Sequence, residues 1–323
     1  MPYPIERKLV IAVSSSALFD LSESHAVFVE QGPKAYKEFQ ENNLNKILEK
    51  GVAFPFIKRF LQINQRFKDK VPVEVVLLSR NSAATGKRVF RSIKHYDLDI
   101  SRAAFMEGSS PFEYVPAFNA SLFLSANEDD VQNAIDAGFP AGVVLPSEVV
   151  NDDGDDELRI AFDFDGVIAD DEAEAVYKGG DLPEFHEYEV KKSEVPHQPG
   201  PLADLFQKLS FLQKLEDREV ERNINYKRIL RTAIVTARNA PAHERVITTL
   251  ESWGVSANEM FFLGGMAKER ILSRLKPHMF FDDQRDHLKS DAGDIPMVHI
   301  PFGIANSDNI EQENAADQLK LVR

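Results

Sequence analysis

Leu158–Glu172 reads LRIAFDFDGVIADDE. A short apolar run, Ile160-Ala161-Phe162, delivers two carboxylates, Asp163 and Asp165, on either side of Phe164. Gly166 follows and lets the backbone turn. In a strand, residues two apart face the same side. A buried strand ending in Asp-x-Asp-Gly therefore sets two carboxylates at one sheet edge, where open α/β sheets bind ligands. Like charges this close repel, so a cation is expected between them, most simply Mg²⁺. Solvated acidic turns are common, but they rarely follow directly on a strand of this type.

Short apolar runs alternate with helical patterns on both sides of this stretch. Before it, strands are expected at Lys8–Val13, Val73–Leu78, Ala103–Met106, Leu122–Leu124 and Gly142–Leu145. Helical spacing marks Gly32–Glu49, Phe54–Phe67 (opened by Pro55), Ala84–Tyr96 and Asp129–Ala137. After it, strands are expected at Thr232–Val235, Met260–Leu263, Met279–Phe281 and Met297–Ile300, the last closing the sheet. Pro201 opens a helix running to about Leu215, and Lys268–Leu275 is another. Pro241 stands where a first helical residue would. Asp181–Gly200 reads as a polar loop region, and VNDDGDDE (Val150–Glu157) as an acidic linker. Such alternation predicts a mainly parallel, doubly wound α/β sheet.

The two halves echo each other. IAVSSSALFDLSESHAV (Ile11–Val27) runs in step with IAFDFDGVIADDEAEAV (Ile160–Val176), so Ser14 falls on Asp163 and Ser16 on Asp165. Leu77–Val131 runs without gaps against Ile234–Leu288. There Ser79 falls on Thr236, Pro111 on Lys268, and Ser125-Ala126 on Asp282-Asp283. The first half thus repeats the layout without its acids and lysine. It is expected to complete the fold, although its serines could hydrogen-bond a phosphate or ribose. The expected division is 1–150 for this degenerate half, 151–157 for the linker, 158–303 for the catalytic half with a lid at about 170–200, and 304–323 for a tail.

At 323 residues the chain has room for two such units. Its net charge of −14 argues against a nucleic-acid partner but leaves a small phosphorylated substrate open. It has no cysteine, which excludes disulfides and a thiolate nucleophile and fits a reducing compartment. Its apolar runs are too short for a membrane span or a secretory signal. A cytoplasmic protein without a membrane partner is the expectation, and a homo-oligomer is compatible with it.

Four strand ends of the second half carry groups that one reaction would use together. Asp163 is the candidate nucleophile, because carboxylates form acyl phosphates in phosphoryl transfer. Asp165 could protonate the leaving alkoxide and then activate water. Thr236 and Lys268 supply a hydroxyl and a fixed charge for the phosphoryl oxygens. Asp282 and Asp283 offer hard oxygen ligands for Mg²⁺ opposite Asp163. Ala237 and Arg238, just past Thr236, could reach phosphate or ribose. Within the lid, Phe185 and Tyr188 could stack on a base, and His186 or Gln198 could hydrogen-bond one. The same aromatics could instead pack the lid itself.

AFDFDGV, IVTAR, Lys268 and FFDDQ, in this order, resemble the four motifs of the haloacid dehalogenase (HAD) superfamily of phosphohydrolases. IAVSSSALFDL, GVAFPFIKRF, HYDL, LFLSA, AIDAGF, VTARNA, ESWGV, FFLGG and KPHMFFDDQ extend the resemblance to the cytosolic 5′-nucleotidase type I family. The resemblance implies a HAD-like Rossmannoid sheet and Mg²⁺-dependent hydrolysis of nucleoside 5′-monophosphates, AMP-like ones favoured. It implies Asp163 as the phosphorylated nucleophile and Asp165 as acid/base. The metal would be held by Asp163, the Asp165 backbone carbonyl, and Asp282 or Asp283. Phe164 and Gly166 depart from the vertebrate pattern, which has Gly and Ala there, so pocket shape near the phosphate could differ. A phosphatase for another small ester, or a nucleotide-binding regulator with little turnover, are the alternatives.

Overall fold

A computed structural model describes residues 3–148, 154–179, 182–288 and 295–306. Ten strands among them form one sheet. In the first half these are β1 (Leu9–Val13), β2 (Val73–Ser79), β3 (Arg102–Phe105), β4 (Ala120–Ser125) and β5 (Ala141–Val144). In the second they are β6 (Leu158–Phe162), β7 (Leu230–Thr236), β8 (Glu259–Phe262), β9 (Met279–Asp282) and β10 (Met297–His299). The central strands β1 and β6 are buried along their whole length, as helix-covered parallel strands are.

The sheet runs β3-β2-β1-β4-β5-β10-β9-β6-β7-β8. Both halves therefore use one order, read outward from the centre in opposite directions. All neighbours are parallel except β5 and β10, which meet antiparallel through Val144↔Val298 and Val143↔His299. Equivalent strands meeting antiparallel is what a local two-fold between halves requires. Met297–Ile300 thus does not close the sheet at an edge. It supplies the join, and β3 and β8 are the edges.

The halves share their packing on one face. Helix Phe54–Arg66 lies on β2 and reaches β6, while helix Ala203–Arg222 lies on β7 and reaches β1 and β4. One continuous apolar cluster holds Phe56 and Phe60 from the first half with Phe162, Phe206 and Phe281 from the second. The opposite face carries a separate cluster for each half. Lys208 Nζ, in the second half, donates to Ser121 Oγ at 2.8 Å across the join.

Three local readings change. The stretch expected as a loop at Asp181–Gly200 is helical over Leu182–Lys191, which pairs with helix Glu172–Gly179, and is turn and coil only from Lys192 to Gly200. Polar, unperiodic sequence hid this helix because ion pairs rather than an apolar stripe hold it. The helix expected at Gly32–Glu49 begins earlier, at Ser22, and ends at Asn42, with a break at Gly32 (φ 82°) before Pro33. The helix after Pro201 continues past Leu215 to Arg222, its charged end solvated. Residues 150–153 of the acidic linker and 307–323 of the tail lie outside the described residues.

Each half also carries an insertion between its first strand and the long helix that follows, called a lid below for its position over the strand ends. Isolated antiparallel bridges close the two lids, Phe19↔Lys50 in one and Ala169↔Pro199 in the other. The next residue in each is a glycine pressed on backbone. A Cβ on Gly51 would lie 2.7 Å from Ala17 O, and one on Gly200 would lie 2.2 Å from Ala169 O.

Candidate active site

The strand ends of β6 and β9 deliver the acidic cluster, and β7 sets Thr236 beside it. Phe162 and Phe281, immediately before Asp163 and Asp282, stack at 5.1 Å between ring centres. Such a ring pair adds about 0.5–1.5 kcal/mol beyond its buried area, and here it fixes the spacing of the carboxylates that follow. The Asp163 N–H donates to Phe281 O at 2.8 Å, which extends the β6–β9 pairing by one residue.

Lys268 caps the helix Glu269–Leu275 and reaches under both carboxylates. Its ammonium lies 2.8 Å from Asp163 Oδ2 and 2.7 Å from Asp282 Oδ2. All three groups are buried. Burial opposes a charge on Lys268, but Asp163 and Asp282 outweigh it and hold the lysine firmly protonated. Burial pushes the Asp163 carboxyl up to about 7, against Lys268 and with Asp282 and Asp165 reinforcing it. Asp283 is raised well above the carboxylate range by burial and by the neighbouring Asp163 and Asp282. Asp282, despite burial, is held low by Lys268 and His287.

One lysine thus faces three buried carboxylates. The Asp283 Oδ1 atom is buried with no hydrogen-bond partner. One ligand atom each from Asp163, Asp282 and His287 lie within 4.8 Å of one another. Excess buried negative charge and an orphaned carboxylate oxygen fit a hard divalent cation, whose arrival would restore charge balance. His287, Nδ1 3.2 Å from Asp282 Oδ1, is a contributor that the motifs did not signal. Gly166, at φ 68°, packs on Asp283: a Cβ there would fall 2.5 Å from Asp283 Oδ2.

Thr236 ends β7 and is buried, its Oγ1 accepting from the Arg238 N–H at 3.2 Å. Ala237 beside it is exposed. Gly264 and Gly265 tie the loop after β8 to this turn, donating to Arg238 O at 3.2 Å and Ala237 O at 3.1 Å.

Asp165 stands apart from the cluster's lysine. Arg238 grips it with two bonds, Nε to Oδ2 and Nη2 to Oδ1, both 2.7 Å. The same buried guanidinium donates to Glu189 of the lid and contacts His197 Nε2 at 3.1 Å. Glu189 in turn accepts from Arg245 Nη1 at 2.9 Å, and Arg245 Nη2 reaches Glu172 at 2.8 Å. Burial alone would raise Glu189, but His197 and Arg238 bring it down to about 2. A chain of ion pairs thus runs from Asp165 through Arg238, Glu189 and Arg245 to the start of the lid.

The lid aromatics are engaged in the same network. Phe185 is buried with Ala173 and Ala242, and Arg238 covers its ring at 5.6 Å. Tyr188 donates to Glu172 Oε1 at 2.6 Å and carries Lys192 over its ring at 4.5 Å. In this closed arrangement both rings pack the lid. His186 meets Asn239 Oδ1 at 3.2 Å. Glu189, His197 and Arg245 carried no sequence signal as a site. Their partners lie about fifty residues away, and only folding pairs them.

Two aspartates two residues apart, a hydroxyl and an acid pair at or just past the ends of parallel strands, with a lysine at the start of the helix after β8, form the arrangement of the HAD superfamily. The family model described as 5′-nucleotidase matches residues 1–307, and the chain belongs to that family of phosphoric monoester hydrolases. It is also 35% identical, over 296 residues, to "Cytosolic 5'-nucleotidase 1B" of Homo sapiens. That match covers 89% of this chain and 48% of the human protein, so the chain spans about half the length of the curated relative it matches. Among the described residues no helix is long and apolar enough to cross a membrane.

Proposed function

We propose that this chain hydrolyses nucleoside 5′-monophosphates to nucleoside and phosphate, by way of an aspartyl phosphate on Asp163. The observation that carries the reading is the buried Asp163–Lys268–Asp282 cluster at adjoining strand ends, in a chain of this family.

Asp163 attacks phosphorus through one carboxylate oxygen, and the P–O bond to the nucleoside breaks. Lys268 and the Thr236 hydroxyl hold the phosphoryl oxygens, where charge gathers in the transition state. Asp163, Asp282 and Asp283, with the Asp165 carbonyl, would hold Mg²⁺. Bound there, the ion would supply charge stabilisation for the transferring group. Asp165 protonates the departing 5′-oxygen and then takes a proton from the water that cleaves the acyl phosphate. Arg238 occupies both carboxylate oxygens of Asp165 while the lid is closed. Acid/base work therefore requires that pair to loosen, which couples the chemistry to lid movement. Ala237 and Arg238 border the phosphate position, and Phe185 and Tyr188 reach a base once the lid shifts. The chain reads as two copies of one unit, 1–150 and 158–303, a division supported by the shared strand order.

The test is phosphate release from a panel of nucleotides and sugar phosphates, with Mg²⁺ and with EDTA. Mg²⁺-dependent release from at least one nucleoside monophosphate is expected. Release from sugar phosphates alone would replace this reading with a phosphatase for another ester.

A further inference from the structure

The strand ends of the first half open into a cavity of about 1260 Å³. This is ample for a nucleotide-sized ligand. On its floor stand the hydroxyls of Ser14, Ser79 and Ser125, at the ends of β1, β2 and β4. Asp163, Thr236 and Asp282 hold the matching places at β6, β7 and β9. The turns match too. Ser79 Oγ accepts from the Asn81 N–H at 3.2 Å, as Thr236 accepts from Arg238. Ser125 Oγ accepts from the Asn127 N–H at 3.1 Å, as Asp282 Oδ1 accepts from Gln284 at 2.9 Å.

Changing acid to hydroxyl changes what such a floor can bind. A carboxylate repels a phosphate unless a cation intervenes, whereas a hydroxyl donates to a phosphate oxygen directly. A hydroxyl floor also lacks the carboxylate that would take the phosphoryl group. Charge around the cavity agrees. Arg80 is answered by Asp130 at 2.6 Å, which leaves Lys34, Lys37 and Lys50 against Asp20 and Glu107 in a chain of net charge −14.

The lid above this floor presents what the other lid hides. Phe28 lines the cavity and is 46% exposed, meeting Tyr36 edge to face at 5.7 Å. Tyr36 is anchored by its hydroxyl, which donates to Asn81 Oδ1 at 2.7 Å. One aromatic is therefore fixed and its neighbour offers an open face to a base. In the second half the lid rings are covered by Arg238 and Lys192.

We propose that this cavity is a second binding site, which holds a nucleoside phosphate without a metal and does not hydrolyse it. The choice of a nucleoside rests on the 5′-nucleotidase reading; the phosphate rests on the hydroxyl floor and the lysines.

The experiment is calorimetric titration of the full chain with AMP in EDTA. Binding is expected in wild type and in Lys268→Met, where the catalytic phosphate grip is gone. Ser16→Asp, at an exposed cavity position, sets a carboxylate against the phosphate and should weaken AMP about tenfold or more. Phe28→Ala, also exposed, should weaken it about tenfold by removing a stacking face. Both positions are exposed, so the variants should fold, and circular dichroism checks this. Absence of AMP binding in EDTA overturns the proposal. So does binding that Lys268→Met abolishes and Ser16→Asp leaves unchanged. Inorganic phosphate and adenosine titrated separately test the ligand: if phosphate alone displaces AMP and Phe28→Ala has no effect, the nucleoside assignment falls. Phosphate release with Mg²⁺ is measured on the same samples. Turnover without EDTA binding sinks the second site alone, and EDTA binding without turnover sinks only the nucleotidase reading.

Discussion

The two halves raise the same five strands in the same order and close their lids with the same bridge, yet ion pairs tie down one lid while the other stands over a cavity. In the second half, buried acids and arginines clasp the lid down from Asp165 to Glu172. In the first, hydroxyls stand where the acids do, and the lid rests on Tyr36 and Asn81 over open space. The backbone therefore sets where functional groups stand, while their charge decides whether the lid is clamped. Charge also decides whether a cation is wanted.

The contrast can be broken most sharply at the paired strand ends. Asp163→Asn should lower phosphate release by about a thousandfold or more, because an amide is a far weaker nucleophile. Activity near wild type would mean that the nucleophile lies elsewhere. The next largest effect falls on the clasp. Glu189→Ala takes one carboxylate partner from each of two buried arginines, leaving Arg238 with Asp165 and Arg245 with Glu172, and should cost about 3 kcal/mol in urea unfolding. A fall below 1 kcal/mol would show that the lid is not held this way.

Acid reads the same clasp without mutation. Glu189 and Glu172 are held at about 2 against an ordinary 4.5, burial being outweighed by their cationic and hydrogen-bonding partners. The unfolded chain binds more protons between these values, so this stabilisation is complete above 4.5 and is lost as pH falls through about 2. Unfolding free energy followed down this range should decline, and Glu189→Gln should flatten the decline.

Smaller effects test what the halves have in common. Gly51→Ala and Gly200→Ala each force a methyl onto backbone beside a lid bridge, and each should cost about 1–3 kcal/mol. A large loss in only one would mean that the lids are seated differently. Ser14→Ala removes the side chain that accepts from the Ala17 N–H at 3.1 Å. It should cost about 1 kcal/mol of stability and leave turnover within about twofold. A large loss of turnover there would tie the first half into the chemistry.

Much of this architecture is legible in the chain. Strands such as Val73–Ser79 announce themselves because parallel strands covered on both faces read as continuous apolar runs. The repeat is legible because Ser79 and Thr236, like Ser125 and Asp282, end strands in register. The lid was not legible. Leu182–Lys191 lacks an apolar stripe, and its stability comes from Glu189 meeting Arg238 and Arg245, contacts that no local pattern encodes. The place of β10 was equally hidden, since a terminal apolar strand looks the same at an edge as at the join.

The sequence by itself determined the parallel α/β layout, the acids at Asp163, Asp165, Asp282 and Asp283, and the serines that replace such acids in the first half. Those features are local: apolar period, turn residues and side-chain chemistry at each strand end. Tertiary structure alone decided that Arg238 would hold Asp165, that Lys268 would lie between Asp163 and Asp282, and that one lid would be clamped while the other roofs a cavity. These outcomes depend on distances between segments far apart in the chain, and charge pairing over such distances is created only when the sheet brings their ends together.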